Sequence, residues 1–202
     1  MIDKVLRYPK EATLKPIALR VLRPFHPTFI TVVAFGVGIA AAVAIWQQAY
    51  LIGLGLWFLN RILDGLDGTV ARLHNKQSDF GGYIDIVLDT VIYALIPTAL
   101  AVSIQSMDVY LALIFLLGSF YVNGAAWMYL SALLEKRRIG ASAQGEMTTV
   151  TMPGGLIEGT ETIIFFSLFL LFPNLLTILF VVMGVLVYIS AVQRLIWAVR
   201  HL

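Results

Sequence analysis

The chain consists of long uncharged runs separated by short polar segments. Residues without any Asp, Glu, Lys or Arg span 28–60, 90–107, 109–134 and 162–193. About 20 apolar residues suffice to cross a bilayer, so the first and last runs are each too long for one helix. Dividing the runs at their polar or Pro/Asn positions predicts six transmembrane helices. Their predicted bounds are 28–47, 50–73, 79–104, 108–135, 149–172 and 174–198.

The composition agrees with a bilayer setting. Hydrophobic residues make up 59% of the 202 positions and charged residues 13%, whereas soluble domains carry about 25% charged residues. The chain has no cysteine, which excludes disulfides and thiol chemistry. Its N-terminus is polar and basic and does not resemble a cleaved signal peptide. We therefore expect an all-α integral membrane protein whose six-helix membrane domain spans residues 27–202.

Residues 1–26 form no crossing. Four prolines divide or border the segment, and apolar residues recur near helical spacing beside Lys15, Arg20 and Arg23. This pattern favours a cytoplasmic amphipathic helix lying in the headgroup layer, and the alternative is a solvated basic tail.

Basic residues are distributed unevenly along the chain. Of the 14 Lys and Arg residues, all except Arg61 fall in the N-terminal segment, the 72–78 loop, the 136–138 loop or the C-terminal end. With six crossings these regions share one side, and the positive-inside rule predicts that both termini are cytoplasmic. The expected location is the inner or plasma membrane, with no nucleic-acid partner.

Four aspartates are concentrated near that cytoplasmic surface. Asp64 and Asp67 are three positions apart, and Gly81, Asp85 and Asp89 are spaced by four, so each set shares one helix face. Charged groups at membrane depth are costly and usually functional. Carboxylates that converge there would repel one another unless a hard divalent cation neutralised them, which predicts a Mg²⁺ or Mn²⁺ site. The alternative is a structural cluster with partners on other helices.

This segment resembles the motif of the CDP-alcohol phosphotransferase, or CDP-alcohol phosphatidyltransferase, family. The matching residues are Asp64, Asp67, Gly68, Ala71, Arg72, Gly81, Asp85 and Asp89. Pro27 and Thr31 also resemble the Pro-x-x-x-Thr start of the family's first transmembrane helix. The resemblance implies the six-helix architecture with an interfacial N-terminal helix, and a homodimer.

The resemblance also implies roles for these residues. The four aspartates would bind two divalent ions, Mg²⁺ or Mn²⁺, and Asp89 would also take the proton from the acceptor hydroxyl. Gly68, Ala71, Arg72 and Gly81 would line the cytidine diphosphate site, where Arg72 can meet a phosphate. The alcohol oxygen would attack the β-phosphorus of a CDP-activated donor, and CMP would leave.

The leading functional prediction is phospholipid synthesis from CDP-diacylglycerol and a small polar alcohol. One alternative reverses the roles, with a soluble CDP-alcohol as donor and a lipid alcohol as acceptor. Another, from a different class, is a membrane transporter coupled to a cation or proton. A transporter needs charges along a route to both faces, whereas the distal half of this domain is uncharged, which favours an enzyme open to one side.

Candidates for acceptor binding lie outside the family motif. Glu158 and Glu161 fall within the fifth predicted helix, in a stretch that resembles a bacterial inner-membrane branch of the family. They are expected to extend the aspartate cavity, where they bind acceptor hydroxyls or an amine, or else pair with Arg61 to fix helix packing. Arg194 and the basic residues 136–138 are candidates for a phosphorylated acceptor, and positive-inside anchoring is the simpler interpretation.

Overall fold

A computed structural model describes residues 26–138, 140 and 154–202, and all regular elements in these ranges are helical. The α-helices are α1 Pro27–Trp46, α2 Tyr50–Leu73, α3 Asp79–Ile104, α4 Met107–Lys136, α5 Gly159–Leu171 and α6 Leu176–His201. A 3₁₀ turn, Pro173–Leu175, leads into α6. The interfacial segment predicted over residues 1–26 lies outside the described residues, except for His26.

The bounds of α1 to α4 agree with the predicted helices to within one residue at each end. For the fifth helix, predicted over residues 149–172, the predicted start is wrong. Residues 154–158 are not helical, and α5 begins at Gly159. Gly154 and Gly155 explain part of this, because glycine is among the poorest helix formers. Glu158 consequently precedes α5, and Glu161 lies in its first turn.

Four segments of the described chain are long and apolar enough to cross a membrane: α1, α3, α4 and Pro173–His201. The chain is thus a multi-pass membrane protein. α2 carries the charges of the aspartate motif, and α5 has 13 residues. At about 1.5 Å per residue α5 is roughly 20 Å long, short of a bilayer core of about 30 Å. Six crossings and cytoplasmic termini stay predictions.

The chain forms two compact units. The first contains α1, α2, α3 and residues 166–173, which include the second half of α5. In it α1 packs on both α2 and α3. Gly38 permits this contact, because a Cβ there would lie 2.6 Å from Cδ1 of the buried Ile92 on α3. Phe166 completes the core of the unit by stacking on Trp57 of α2, with ring centroids 5.1 Å apart.

The second unit contains α4, the first part of α5 and α6. α4 packs along α6, and Leu116, Phe180 and Met183 are completely buried in this unit. Phe115 of α4 contacts Tyr188 of α6, with ring centroids 5.4 Å apart. Apolar packing of this kind fixes α6 and with it the positions of Ser190 and Arg194.

Candidate metal centre

Three carboxylates converge where α2 and α3 meet. Oxygens of Asp64, Asp67 and Asp85 all lie within 4.8 Å of one another. A short loop joins the two helices, and Ser78 begins α3 as its N-cap, its hydroxyl accepting a 3.1 Å hydrogen bond from the amide of Gly81. We call Asp64, Asp67 and Asp85 the triad.

The triad fits a divalent cation. Oδ1 of Asp85 is buried and has no hydrogen-bond partner among the residues that the structure describes. A buried carboxylate oxygen without a partner is unfavourable, and so is the mutual repulsion of three carboxylates. An ion such as Mg²⁺ or Mn²⁺ relieves both, since each prefers oxygen ligands. The sequence predicted that four aspartates converge, and the structure brings Asp64, Asp67 and Asp85 together in this way.

Thr31 orients one member of the triad. Its hydroxyl donates a 2.6 Å hydrogen bond to Oδ2 of Asp67, and both residues are buried. The bond holds one oxygen of the Asp67 carboxylate and links α1 to α2. The sequence drew attention to Thr31 through its resemblance to the family's first helix, but it gave no role to the hydroxyl.

Asp89, the fourth aspartate of the motif, is bonded to Arg61. Nη2 of Arg61 lies 2.7 Å from Oδ1 of Asp89, and Nη1 lies 3.2 Å from Oδ2. The same Nη1 is 3.7 Å from Oδ2 of Asp64. The guanidinium thus binds Asp89 through two hydrogen bonds and also lies close to Asp64 of the triad. Sequence reasoning did not predict this pairing.

Further polar groups hold Arg61 in place. Its Nε donates to the side-chain oxygen of Asn60 at 2.8 Å, and its Nη1 donates to the hydroxyl of Tyr93 at 3.0 Å. Asn60 in turn donates to the backbone oxygen of Ala34 on α1 at 2.7 Å. Sequence reasoning missed Asn60 and Tyr93. For Asn60 a signal existed, because an amide next to an arginine within an apolar run needs a partner at membrane depth.

A cleft between α1, α2 and α3 gives access to these groups. Its polar lining consists of Thr31, Asn60, Asp64, Asp85 and Asp89. Carboxylates from both halves of the motif therefore face one cleft. Ile92 and Leu88 supply apolar lining.

The predicted donor-binding positions lie on the same two helices. Gly68 and Arg72 are one turn apart on α2, and a Cβ on Gly68 would lie 3.2 Å from Nη1 of Arg72. The side chain of Arg72 therefore lies back across Gly68, so a larger residue at position 68 would displace it. Ala71 and Gly81 are half-buried. Their contact with cytidine diphosphate stays a prediction.

Glu158 and Glu161 shape the start of α5. Oε2 of Glu161 accepts a 3.2 Å hydrogen bond from the amide of Glu158, as in a capping box, and Oε1 of Glu158 accepts one of 3.1 Å from the amide of Gly155. The amide of Ile157 donates to the hydroxyl of Ser190 on α6 at 2.9 Å. The two glutamates thus have a structural role that neither hypothesis from the sequence included.

Arg194 belongs to the same unit as these glutamates. It is buried, it donates a hydrogen bond to the side chain of Asn123 on α4, and it interacts electrostatically with Glu158. The basic residue expected to grip an acceptor is therefore part of a network that joins α4, α6 and the segment before α5. A cavity shared by Glu158, Glu161 and the aspartates stays a prediction.

Comparison with known proteins agrees with this geometry. The family model for CDP-alcohol phosphatidyltransferase matches residues 25–172. The inner membrane protein YnjF of Escherichia coli (strain K12) is 34% identical over 200 residues, covering 98% of this chain and 95% of YnjF.

Two crystal structures of the phosphatidylinositol phosphate synthase PgsA1 of Mycobacterium tuberculosis share the fold. The one with CDP-DAG bound gives a TM-score of 0.69 at 22% identity, covering 90% of this chain and 91% of that one. The one in complex with manganese and citrate gives a TM-score of 0.67 at 23% identity, covering 90% and 87%.

Proposed function

Because the chain belongs to the CDP-alcohol phosphatidyltransferase family, we propose that it transfers a phosphatidyl group from CDP-diacylglycerol to a small polar alcohol and releases CMP. The observation that carries the proposal is the triad, whose oxygens lie within 4.8 Å of one another. Oδ1 of Asp85 adds to it, because it is buried and has no hydrogen-bond partner in the described part of the chain. The triad is formed by motif residues of a family whose chemistry depends on divalent ions.

Asp64, Asp67 and Asp85 would hold a divalent ion, and Asp89 would complete the set for a second one. Bound Mg²⁺ or Mn²⁺ supplies positive charge that neutralises the diphosphate of the donor and the charge developing on the leaving group. The manganese complex of the mycobacterial relative supports a divalent ion of this kind.

The protein's own groups would bind, orient and deprotonate. Arg72, which lies across Gly68, would contact a donor phosphate. Asp89 would accept the proton of the acceptor hydroxyl through a lone pair that Arg61 does not use, since each carboxylate oxygen has two. The bond that forms joins the alcohol oxygen to the β-phosphorus. The bond that breaks joins the β-phosphorus to the oxygen that departs with CMP.

CDP-diacylglycerol is the preferred donor in this proposal. A relative of the same fold carries CDP-DAG, and a site at the cytoplasmic end of apolar helices would suit a donor with a polar nucleotide and two acyl chains. The acceptor site is the less defined end. Glu158, Glu161, Arg194 and Arg61 are its candidates, and a homodimer with cytoplasmic active sites is part of the same proposal.

The test is CMP release by the purified protein. Labelled CDP-diacylglycerol is incubated with Mn²⁺ or Mg²⁺ and, separately, serine, glycerol 3-phosphate, inositol phosphate or glycerol. We expect one acceptor to give CMP and a lipid product in equal amounts, and Asp89→Asn to abolish turnover. The matched control is Asp108→Asn, since Asp108 is exposed at the start of α4, away from the motif. Absence of CMP with every acceptor, and with soluble CDP-alcohols as well, would contradict the proposal.

A further inference from the structure

Arg61 is a buried cation in the middle of α2, the helix that carries Asp64 and Asp67. It is 6% exposed, and four of its hydrogen bonds go to Asn60, Tyr93 and both oxygens of Asp89. A guanidinium has five N–H donors in a fixed plane, so these bonds define its orientation.

Aromatic rings support that orientation. The guanidinium carbon of Arg61 lies 4.8 Å from the ring centroid of Trp57 and 5.1 Å from that of Tyr93. Both rings also contact Phe166, which stacks on Trp57 at 5.1 Å and meets Tyr93 edge-on at 5.8 Å. A cation held between ring faces in a dry setting is stabilised there. Arg61 is therefore a rigid group, unlike a mobile surface arginine.

This rigid group separates the four aspartates into two sets. Asp64, Asp67 and Asp85 form the triad, which can be neutralised by a divalent ion, whereas Asp89 forms a neutral pair with Arg61. Any further divalent ion that uses Asp89 meets a positive charge already bonded to both of its oxygens. That charge is also 3.7 Å from Asp64.

We propose that Arg61 is a positioning residue that acts as the built-in counter-cation of Asp89, so that the triad binds one divalent ion tightly and a second ion binds only in competition with Arg61. Arg61 would thereby link recruitment of the second ion to the arrival of the donor, whose diphosphate adds the negative charge that favours a second cation. This inference rests on the proposed function for two statements, that the aspartates bind divalent ions and that the donor carries a diphosphate.

The test is a Mn²⁺ titration of the detergent-solubilised protein without donor, in which free Mn²⁺ is followed by electron paramagnetic resonance. The unsubstituted protein should bind one ion tightly and a second at least tenfold more weakly. Arg61→Gln removes the competing charge and should tighten the second site by about tenfold or more, because repulsion between a unit charge and a divalent ion is strong near low dielectric. Arg61→Lys keeps the charge without the planar fork and should give a smaller shift.

Two controls make the titration specific. Arg200→Gln is the same change at an exposed position near the end of α6 and should leave both dissociation constants unchanged. Asp89→Asn should remove the second site, and combining it with Arg61→Gln should abolish the effect of the arginine. If Arg61→Gln misfolds in size-exclusion chromatography, the comparison is made with Arg61→Lys.

Unchanged or weaker second-site binding in the folded Arg61 variants would overturn the inference, as would two equally strong sites in the unsubstituted protein. Because the titration needs no donor or acceptor, a failed transfer assay leaves its outcome intact. Conversely, a second site that is insensitive to Arg61 would leave the transferase proposal standing.

Discussion

The hydroxyl of Thr31 on α1 donates a 2.6 Å hydrogen bond to Oδ2 of Asp67 on α2. It joins the start of the first transmembrane helix to the aspartate motif, and it explains physically why a threonine is useful at that point. With one oxygen held by Thr31, the carboxylate is restricted in its rotation within the triad. The packing of α1 against α2 therefore contributes to the geometry of the site.

Thr31→Val should weaken Mn²⁺ binding by about tenfold, because a hydrogen bond to a charged group is worth about 1.5–3 kcal/mol and its loss loosens the orientation of the carboxylate. Thr31→Ser keeps the hydroxyl and should bind Mn²⁺ nearly as well as the unsubstituted protein. The measurement is a Mn²⁺ titration of both variants. Equal Mn²⁺ affinities of the Thr31→Val and Thr31→Ser variants would show that the hydrogen bond does not orient Asp67 for the ion.

Asp85→Asn should have opposite effects on stability with and without metal. In the metal-free protein it removes one of three repelling carboxylates and should raise the melting temperature. With Mn²⁺ it should lose most of the metal-dependent stabilisation, because a ligand is missing and affinity falls by about 100-fold. Thermal melts with Mn²⁺ and with chelator test both effects. Asp108→Asn serves as control, and a similar response there would contradict the assignment.

Glu161→Ala should lower the free energy of unfolding by about 1 kcal/mol, because it removes the side chain that caps the amide of Glu158 at the start of α5. Glu161→Gln keeps an acceptor oxygen and should be close to neutral in the same melts. The Gln variant also tests acceptor binding separately, since a role in that step predicts a raised Michaelis constant for the acceptor in a folded protein. Equal free energies of unfolding for the Glu161→Ala and Glu161→Gln variants would contradict the capping role of Glu161.

Gly38→Ala should destabilise the protein by about 1 kcal/mol or more, because the added Cβ would lie 2.6 Å from Cδ1 of Ile92 and 3.1 Å from Nδ2 of Asn60, which is itself hydrogen-bonded. Gly36→Ala is the matched control on the same helix, where a Cβ meets nothing within 4 Å. Its higher helix propensity should make it neutral or slightly stabilising. Denaturation of the two variants in the same detergent tests whether α1 approaches α3 this closely. Equal denaturation midpoints for the two variants would contradict the close approach.

The sequence predicted most helix bounds well because uncharged runs and polar joints directly reflect the bilayer. It failed at α5, because the predicted start at residue 149 overlooked Gly154 and Gly155, which disfavour a helix, and the two glutamates that accept hydrogen bonds at the observed start. From the sequence, Glu158 and Glu161 were expected either to bind the acceptor or to pair with Arg61, whereas their carboxylates accept hydrogen bonds from nearby backbone amides. Helix ends depend on such bonds, which hydropathy does not reveal.

The site was predicted in part for a similar reason. Spacing along a helix indicates which aspartates share a face, and it identified the convergence of Asp64, Asp67 and Asp85. Spacing carries no information on which partner a side chain meets across two helices. The pairing of Arg61 with Asp89 and the bond from Thr31 to Asp67 depend on how α1, α2 and α3 pack, and they emerge only from the three-dimensional arrangement.

The most direct test of the central claim follows the phosphorus atom that is transferred. CDP-diacylglycerol labelled with ³²P at the β-phosphate is incubated with the protein, Mn²⁺ and the acceptor that supports CMP release. The account predicts that all consumed label appears in the lipid product, that unlabelled CMP is formed in equal amount, and that Asp89→Asn forms neither. Label recovered in the water-soluble nucleotide or as inorganic phosphate would contradict transfer of the phosphatidyl group to an alcohol.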